Sequence, residues 1–219
     1  MALASLSNLR TTPDREQALA RYRALAAGYD ATCTRIVGIR AAAIDALLLR
    51  GGETVYDVAC GTGATLLPLA RAVGTSGRVV GIEQSAEMAD IARTRVHDAQ
   101  HHDVVSLAVT AVEEARLAHP ADALLFCYTH DVLQNPQAVR HLMRRAKRGA
   151  RVAVAGMKFL PWWWGAPLNL FTGFRARHYL TTYRGLQSPW SPLLPYCRDL
   201  RVVRSFHLGT SYLAVGTVD

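Results

Sequence analysis

Apolar and polar positions along this chain form short blocks, and each block predicts a helix or a strand. Thr12-Pro13-Asp14 predicts a helix start, with a capping hydroxyl and a proline in the first turn. That helix should run to about Ala27 and break at Gly28-Tyr29-Asp30. A second should run from about Thr32 to Arg50 and be capped at Gly51-Gly52. From there the pattern alternates. Strands are predicted over Thr54–Ala59, Arg78–Ile82, Val104–Val109, Ala123–Tyr128 and Val152–Met157. Between them helices are predicted over Ala64–Val73, ended by Gly74, over Ser85–Val96, opened by its serine, and over Pro136–Lys147, stopped by Gly149. Repeated strand–helix–strand units with apolar strands predict an α/β fold whose parallel sheet is covered on both faces.

The last part of the chain reads differently. Val202–His207 and Ser211–Val218 are strand-like, and the Leu208-Gly209-Thr210 link between them is too short for a parallel crossover. The sheet should therefore end in an antiparallel hairpin. Between Lys158 and Arg201 lies an irregular stretch with all four tryptophans and a helix-like centre, Pro167–Tyr179. A connection that long is expected to be functional. The pattern contains no repeat and no interdomain linker, so residues 1–219 are read as one domain. Residues 1–52 would be helices covering a ligand, 53–157 the binding core, 158–200 a lid and 201–219 the hairpin.

Composition narrows the field. Half the residues are hydrophobic and 19% are charged, which excludes disordered and collagen-like chains. No apolar run approaches a membrane span, and Met1–Asn8 is too short and lacks the basic start of a signal peptide. The expected location is the cytoplasm. Cys33, Cys60, Cys127 and Cys197 are far apart and are expected to be reduced thiols. The net charge of +8 is uneven: residues 1–131 carry −3, whereas residues 132–219 carry +11. That asymmetry points either to an anionic partner or to an arginine-rich composition.

Val55-Tyr56-Asp57-Val58-Ala59-Cys60-Gly61-Thr62-Gly63 sets a strand, a glycine turn and a helix in sequence. Glycines there let the backbone approach a ligand, and a helix start offers free N–H groups. The third glycine of a dinucleotide loop is missing, since Ala64-Thr65-Leu66 follows, and no Gly-Lys-Ser/Thr marks a P-loop. Glu83 closes the second strand 20 residues after Gly63. A carboxylate at that point can accept hydrogen bonds from both hydroxyls of a ribose.

Asp57 to Gly63, with Gly81-Ile82-Glu83-Gln84-Ser85-Ala86-Glu87-Met88, resembles the first two motifs of the class I S-adenosylmethionine-dependent methyltransferases. The similarity spans about residues 15–157. It is nearest to the quinone C-methyltransferase and bacterial phospholipid N-methyltransferase types, in Tyr22 through Tyr29-Asp30 and in Phe126-Cys127-Tyr128-Thr129-His130. The resemblance implies a Rossmann-like seven-stranded sheet, S-adenosyl-L-methionine as cofactor and S-adenosyl-L-homocysteine as product. It implies that Asp57 orients the loop and the amino-acid end of the cofactor. Ala59, Cys60, Gly61 and Gly63 would form the backbone bed of the methionine moiety. Glu83 would hold the ribose, with Gln84 and Met88 beside the sugar and adenine. Ala111-Val112-Glu113 stands where such enzymes usually have Asp-Ala-Glu, so the backbone of Val112 or the Thr110 hydroxyl must serve the adenine. Ala59 replaces a frequent glycine.

Other residues offer further chemistry. His130, with Tyr128 and Asp131, falls past the end of a parallel strand and could act as a general base, or equally be a plain loop histidine. Tyr22 and Tyr29 could cover the cofactor. Tyr29, His130, Trp162, Trp163, Trp164, Arg177 and Tyr179 are candidates to bind a small or amphiphilic methyl acceptor. The Trp and Arg of this stretch would equally suit an anionic membrane surface. His97, His101 and His102 are read as a solvated helix end rather than a metal site, and no recognition motif accompanies the basic charge to suggest nucleic acid. Two rival readings stay open: an NAD(P)-dependent oxidoreductase, and a cofactor-binding protein without turnover.

Overall fold

In the computed structural model, which describes residues 12–219, the first helix (α1, Arg15–Leu25) starts at Asp14. The Asp14 carboxylate accepts a hydrogen bond from the Gln17 backbone. The apolar Met1–Asn8 segment lies outside the described residues. Short turns lead through α2 (Tyr29–Thr32) to α3 (Val37–Ala46). The second helix is thus shorter than expected at both ends. It stops at Ala46 because Leu47 is fully buried and Leu48 takes φ +47°, leaving Gly51-Gly52 beyond the helix.

The sheet units follow in turn: β1 (Thr54–Val58), α4 (Leu66–Val73), β2 (Arg78–Glu83), α5 (Ala86–Asp98) and β3 (Val105–Val109). Next come β4 (Ala121–Cys127), α6 (His130–Leu133), α7 (Pro136–Arg145) and β5 (Ala146–Met157). The chain closes with α8 (Trp162–Ala176), β6 (Cys197–Phe206) and β7 (Ser211–Val218). Asn135 caps α7, accepting from Gln137 and Ala138. That helix ends at Arg145 and passes directly into β5. Gly149 (φ +79°) does not stop the helix; it sits within β5, where the pairing with β4 shifts register between Ala121 and Ala123. The hairpin begins at Cys197, earlier than expected.

Seven strands form one sheet in the order β3-β2-β1-β4-β5-β7-β6. The first five are parallel, and β7 runs antiparallel between β5 and β6. Alternation along each strand sends residues to two covered faces. Tyr56, Leu124, Phe126 and Tyr212 pack with Val139 and Leu142 on one. Val55, Leu125 and Leu213 pack with Ile39, Leu66 and Leu69 on the other. β1, between β2 and β4, is buried at all five positions. The strand order reverses between β1 and β4, which opens a crevice at their C-terminal ends. Among the described residues no helix is long and apolar enough to cross a membrane.

Candidate active site

At this reversal β1 carries Asp57 and β2 ends in Glu83, both buried. Thr65 donates its hydroxyl to Asp57 at 2.5 Å, which keeps it in the turn and delays α4 to Leu66. Burial pushes the Asp57 carboxyl up to about 7, with Thr65 and the Arg40 guanidinium pulling the other way. Glu83 accepts from the Gly61 N–H at 2.9 Å and the Ser85 N–H at 2.8 Å, one on each oxygen. It therefore ties the β1–α4 loop to the start of α5. Burial also raises its pKa, against those backbone bonds.

The two loop glycines do different work. Gly61 (φ +58°) lines the crevice and has nothing within 4 Å of where a Cβ would stand. Gly63 (φ +76°) was expected to serve ligand approach as well. Its Cβ would instead lie 2.8 Å from Leu66 Cδ1 and 2.9 Å from Ala92 Cβ, so it serves the close packing of α4 on α5. Ala59 holds φ +51° despite its Cβ. That left-handed conformation costs roughly 1–2 kcal/mol for a residue other than glycine.

These groups surround a crevice of about 790 Å³, its open side included. Asp57, Ala59, Cys60 and Gly61 line it from the first loop, and Glu83, Gln84 and Met88 from the second. Tyr22 and Tyr29 close it from the N-terminal helices, while Tyr128, His130 and Tyr179 line its other end. Sequence reasoning missed Arg40, Thr65 and Cys127, which also line it. Nothing in the helical pattern distinguishes Arg40 from a solvated arginine. Ala111, Val112 and Glu113 do not reach the cavity. The side chains of Ala111 and Val112 are buried, that of Val112 in the core, and Glu113 accepts from Asn135 at 3.1 Å; the adenine contact expected at this position is one of the Val112 backbone or the Thr110 hydroxyl.

A second, larger cavity of about 1550 Å³, its open side included, adjoins the first. Tyr22, Tyr29, Tyr128, Thr129, His130, Tyr179 and Leu180 line both and so mark the junction. The outer walls are mostly apolar: Ile36, Leu133, Met157, Leu168, Phe171 and Leu208. The roof over the junction is stitched down. Tyr22 donates to the Tyr179 carbonyl at 3.1 Å, Arg21 to the Leu180 carbonyl, and Thr181 donates its N–H and hydroxyl to Asp131 at 2.9 and 2.6 Å. Asp30 adds a latch, accepting from Thr62 at 2.6 Å and from Arg95 at 2.5 Å. His130 is 5% exposed, and burial pushes its pKa down to about 4, partly offset by the backbone of Arg184. It is neutral at pH 7.

The tryptophans belong elsewhere. Helix α8 starts at Trp162, earlier than expected, and Trp162, Trp163 and Trp164 occupy its first turn at 49%, 87% and 49% exposure. None lines either cavity, and neither does Arg177, whose guanidinium lies 3.7 Å from the Phe174 ring centre. The helix buries Gly165, Asn169 and Ala176, and the four residues expected to touch the acceptor stand outside the lining of both cavities. His97 and His102 are solvent-exposed beside Asp98 and Asp103.

A nucleoside with an amino-acid tail fits this arrangement. The crevice offers a buried carboxylate for a diol, a second carboxylate for a cation, and an open glycine bed between them. The fold and the loop motifs are similar to those of class I S-adenosylmethionine-dependent methyltransferases. Residues 55–150 match the family described as Methyltransferase domain. A 2-phytyl-1,4-naphtoquinone methyltransferase of Thermosynechococcus vestitus is 34% identical over 114 residues, 51% of this chain and 49% of that protein. A 23S rRNA uracil-C5 methyltransferase of Acinetobacter baylyi is 59% identical over only 46 residues, 21% of this chain and 10% of that one. The chain thus spans about half the length, or less, of these curated relatives. A solved SAM-dependent methyltransferase from Aquifex aeolicus shares the fold, with TM-score 0.60 and 21% identity over 82% of this chain and 89% of that one.

Proposed function

We propose that this protein transfers a methyl group from S-adenosyl-L-methionine to an apolar or amphiphilic small molecule. The observation that carries the reading is the junction between a polar, carboxylate-bearing cavity and an apolar one. In the first, Glu83 accepts the ribose hydroxyls and Gly61 presents its backbone. Ionised Asp57 would hold the ammonium of the amino-acid end, and Arg40, which lines the same cavity, would take its carboxylate. Met88 and Gln84 flank the sugar and base. When bound, the cofactor supplies an electrophilic methyl group on a sulfonium, so the main task of the chain is alignment. Tyr22, Tyr29 and Tyr179 exclude water from the junction. Neutral His130, at the junction, accepts the proton of a hydroxyl or carbon acceptor; an amine acceptor needs no such base.

The apolar walls favour an acceptor with a ring or chain over a nucleic acid, and the similarity to a naphthoquinone methyltransferase supports the same class. An oxidoreductase reading is disfavoured by Leu66, which stands fully buried where a dinucleotide loop needs its third glycine. Thermal shifts with S-adenosylhomocysteine, NAD and NADP test the reading. Stabilisation by the first alone is expected, about 2.7 kcal/mol at 100 times its dissociation constant. Radiolabelled methyl transfer to naphthols, quinols and single-chain amines then identifies the acceptor. Stabilisation by NAD or NADP but not by S-adenosylhomocysteine would overturn the proposal.

A further inference from the structure

The amphipathicity of α8 is inverted. A helix on a soluble domain normally buries its large apolar residues and shows polar ones. Here the buried positions are Gly165, Asn169 and Ala176. Gly165 lets the helix lie against Leu160, and Asn169 bonds the Leu160 N–H and carbonyl reciprocally at 2.8 Å each. The outward face carries Trp163, Pro167, Leu170 and Phe174 at spacings of four, three and four, with Phe171 beside them. Trp163 is 87% exposed, and Leu170, Phe171 and Phe174 are each 60–63% exposed. A contiguous apolar face of this kind marks a docking surface.

Two further observations say what docks there. Phe171 and Arg175 lie on this exposed side of α8 and also line the larger cavity. Leu208, 81% exposed at the tip of the β6–β7 turn, lines the same cavity from the opposite element. The apolar face is therefore part of a collar around the mouth of that cavity. The charge near it is of one sign. From Lys158 to Ser211 the chain has seven Lys and Arg and one acid, Asp199. Arg175 and Arg177 stand at the C-terminal end of the apolar stripe, over Phe171 and Phe174.

We infer that this collar docks on an anionic lipid bilayer, with α8 lying in the interface and the cavity mouth against the membrane. Tryptophan and phenylalanine suit the headgroup boundary, and arginine suits lipid phosphate. A second copy of the chain fits less well. A self-complementary contact would bring the cations of two collars together and would close the mouth. The inference rests on the proposed acceptor class only for its purpose, because the mouth would admit an amphiphile directly from the bilayer.

Sedimentation with vesicles tests it, comparing phosphatidylcholine alone with equal parts phosphatidylcholine and phosphatidylglycerol, at low and high salt. The protein should pellet with the anionic vesicles at low salt and much less with the neutral ones or at high salt. Leu170→Glu, and separately Trp163→Asp, should reduce binding at least roughly tenfold. Arg177→Glu should reduce it roughly 10–30-fold. All three positions are exposed, so melting temperature and S-adenosylhomocysteine affinity should stay as in the parent. No binding to anionic vesicles at low salt would overturn the inference, as would binding indifferent to all three substitutions. A concentration-dependent dimer dispersed by Leu170→Glu, without vesicle binding, would overturn it in favour of a second copy. Loss of S-adenosylhomocysteine binding by the parent protein would instead strike the methyltransferase reading and leave the vesicle result standing.

Discussion

Replacing Glu83 by alanine separates two jobs that one carboxylate performs. In the fold it accepts the Gly61 and Ser85 N–H groups, at 2.9 and 2.8 Å, at a position 6% exposed. Glu83→Ala leaves both donors without that acceptor. Each buried unpaired donor costs about 1–3 kcal/mol, and removing a charge that burial disfavours gives part of this back. A net loss of about 2–4 kcal/mol follows, which lowers the melting temperature of a domain this size by roughly 4–16 °C. The second job, under the proposed function, is binding the ribose. Losing hydrogen bonds to an ionised acceptor should weaken S-adenosylmethionine by about 1.5–3 kcal/mol, roughly 10–150-fold. Differential scanning fluorimetry without ligand reads the first effect, and titration calorimetry below the melting temperature reads the second. An unchanged melting temperature would refute the bracing role. A well-folded variant with parental affinity would remove Glu83 from the cofactor site.

Asp57 should make both stability and binding depend on pH. Its folded pKa of about 7 lies above the ordinary 3.8, so its stabilising contribution is full below about 4 and is lost as pH rises through about 7. Asp57→Asn should flatten that slope. Cofactor affinity should run the opposite way, rising through about pH 7 as the carboxylate ionises, and calorimetry in buffers of different ionisation enthalpy should detect proton release; no release near pH 6.5 would count against the pairing. Gly63→Ala should cost about 2–4 kcal/mol of stability by crowding Leu66 and Ala92 while leaving affinity nearly intact. Gly61→Ala should cost about 1 kcal/mol of stability but weaken the cofactor by more than roughly tenfold; the reverse pattern in melting and calorimetry would exchange the two roles. His130→Ala should slow transfer to a hydroxyl or carbon acceptor by about 10²–10⁴ with cofactor affinity unchanged, and a near-parental rate would assign an amine acceptor. Because its pKa is near 4, His130 should add no inflection to the rate between pH 5 and 8.

The sheet and its glycine loop were legible in the sequence because their signals are local. Apolar strands, the Ser85 cap, the Gly74 stop and the Asp57–Gly63 and Glu83 spacing depend on backbone geometry within a few residues, so β1, α4, β2, α5, β3 and β4 lie close to where the pattern puts them. What failed was decided by contacts distant in sequence. Gly149 looked like a helix stop, yet pairing with β4 extends β5 through it. Gly63 looked like a ligand glycine, yet the crossing of α4 and α5 claims its space. Arg40 gave no signal at all, since only the packing of α3 on the sheet turns it toward Asp57. The tryptophans show the limit most clearly. Composition marks Trp162-Trp163-Trp164 as unusual, but which way a helix faces is set by what it packs against, and here Gly165 and Asn169 take the inside while the large rings face out.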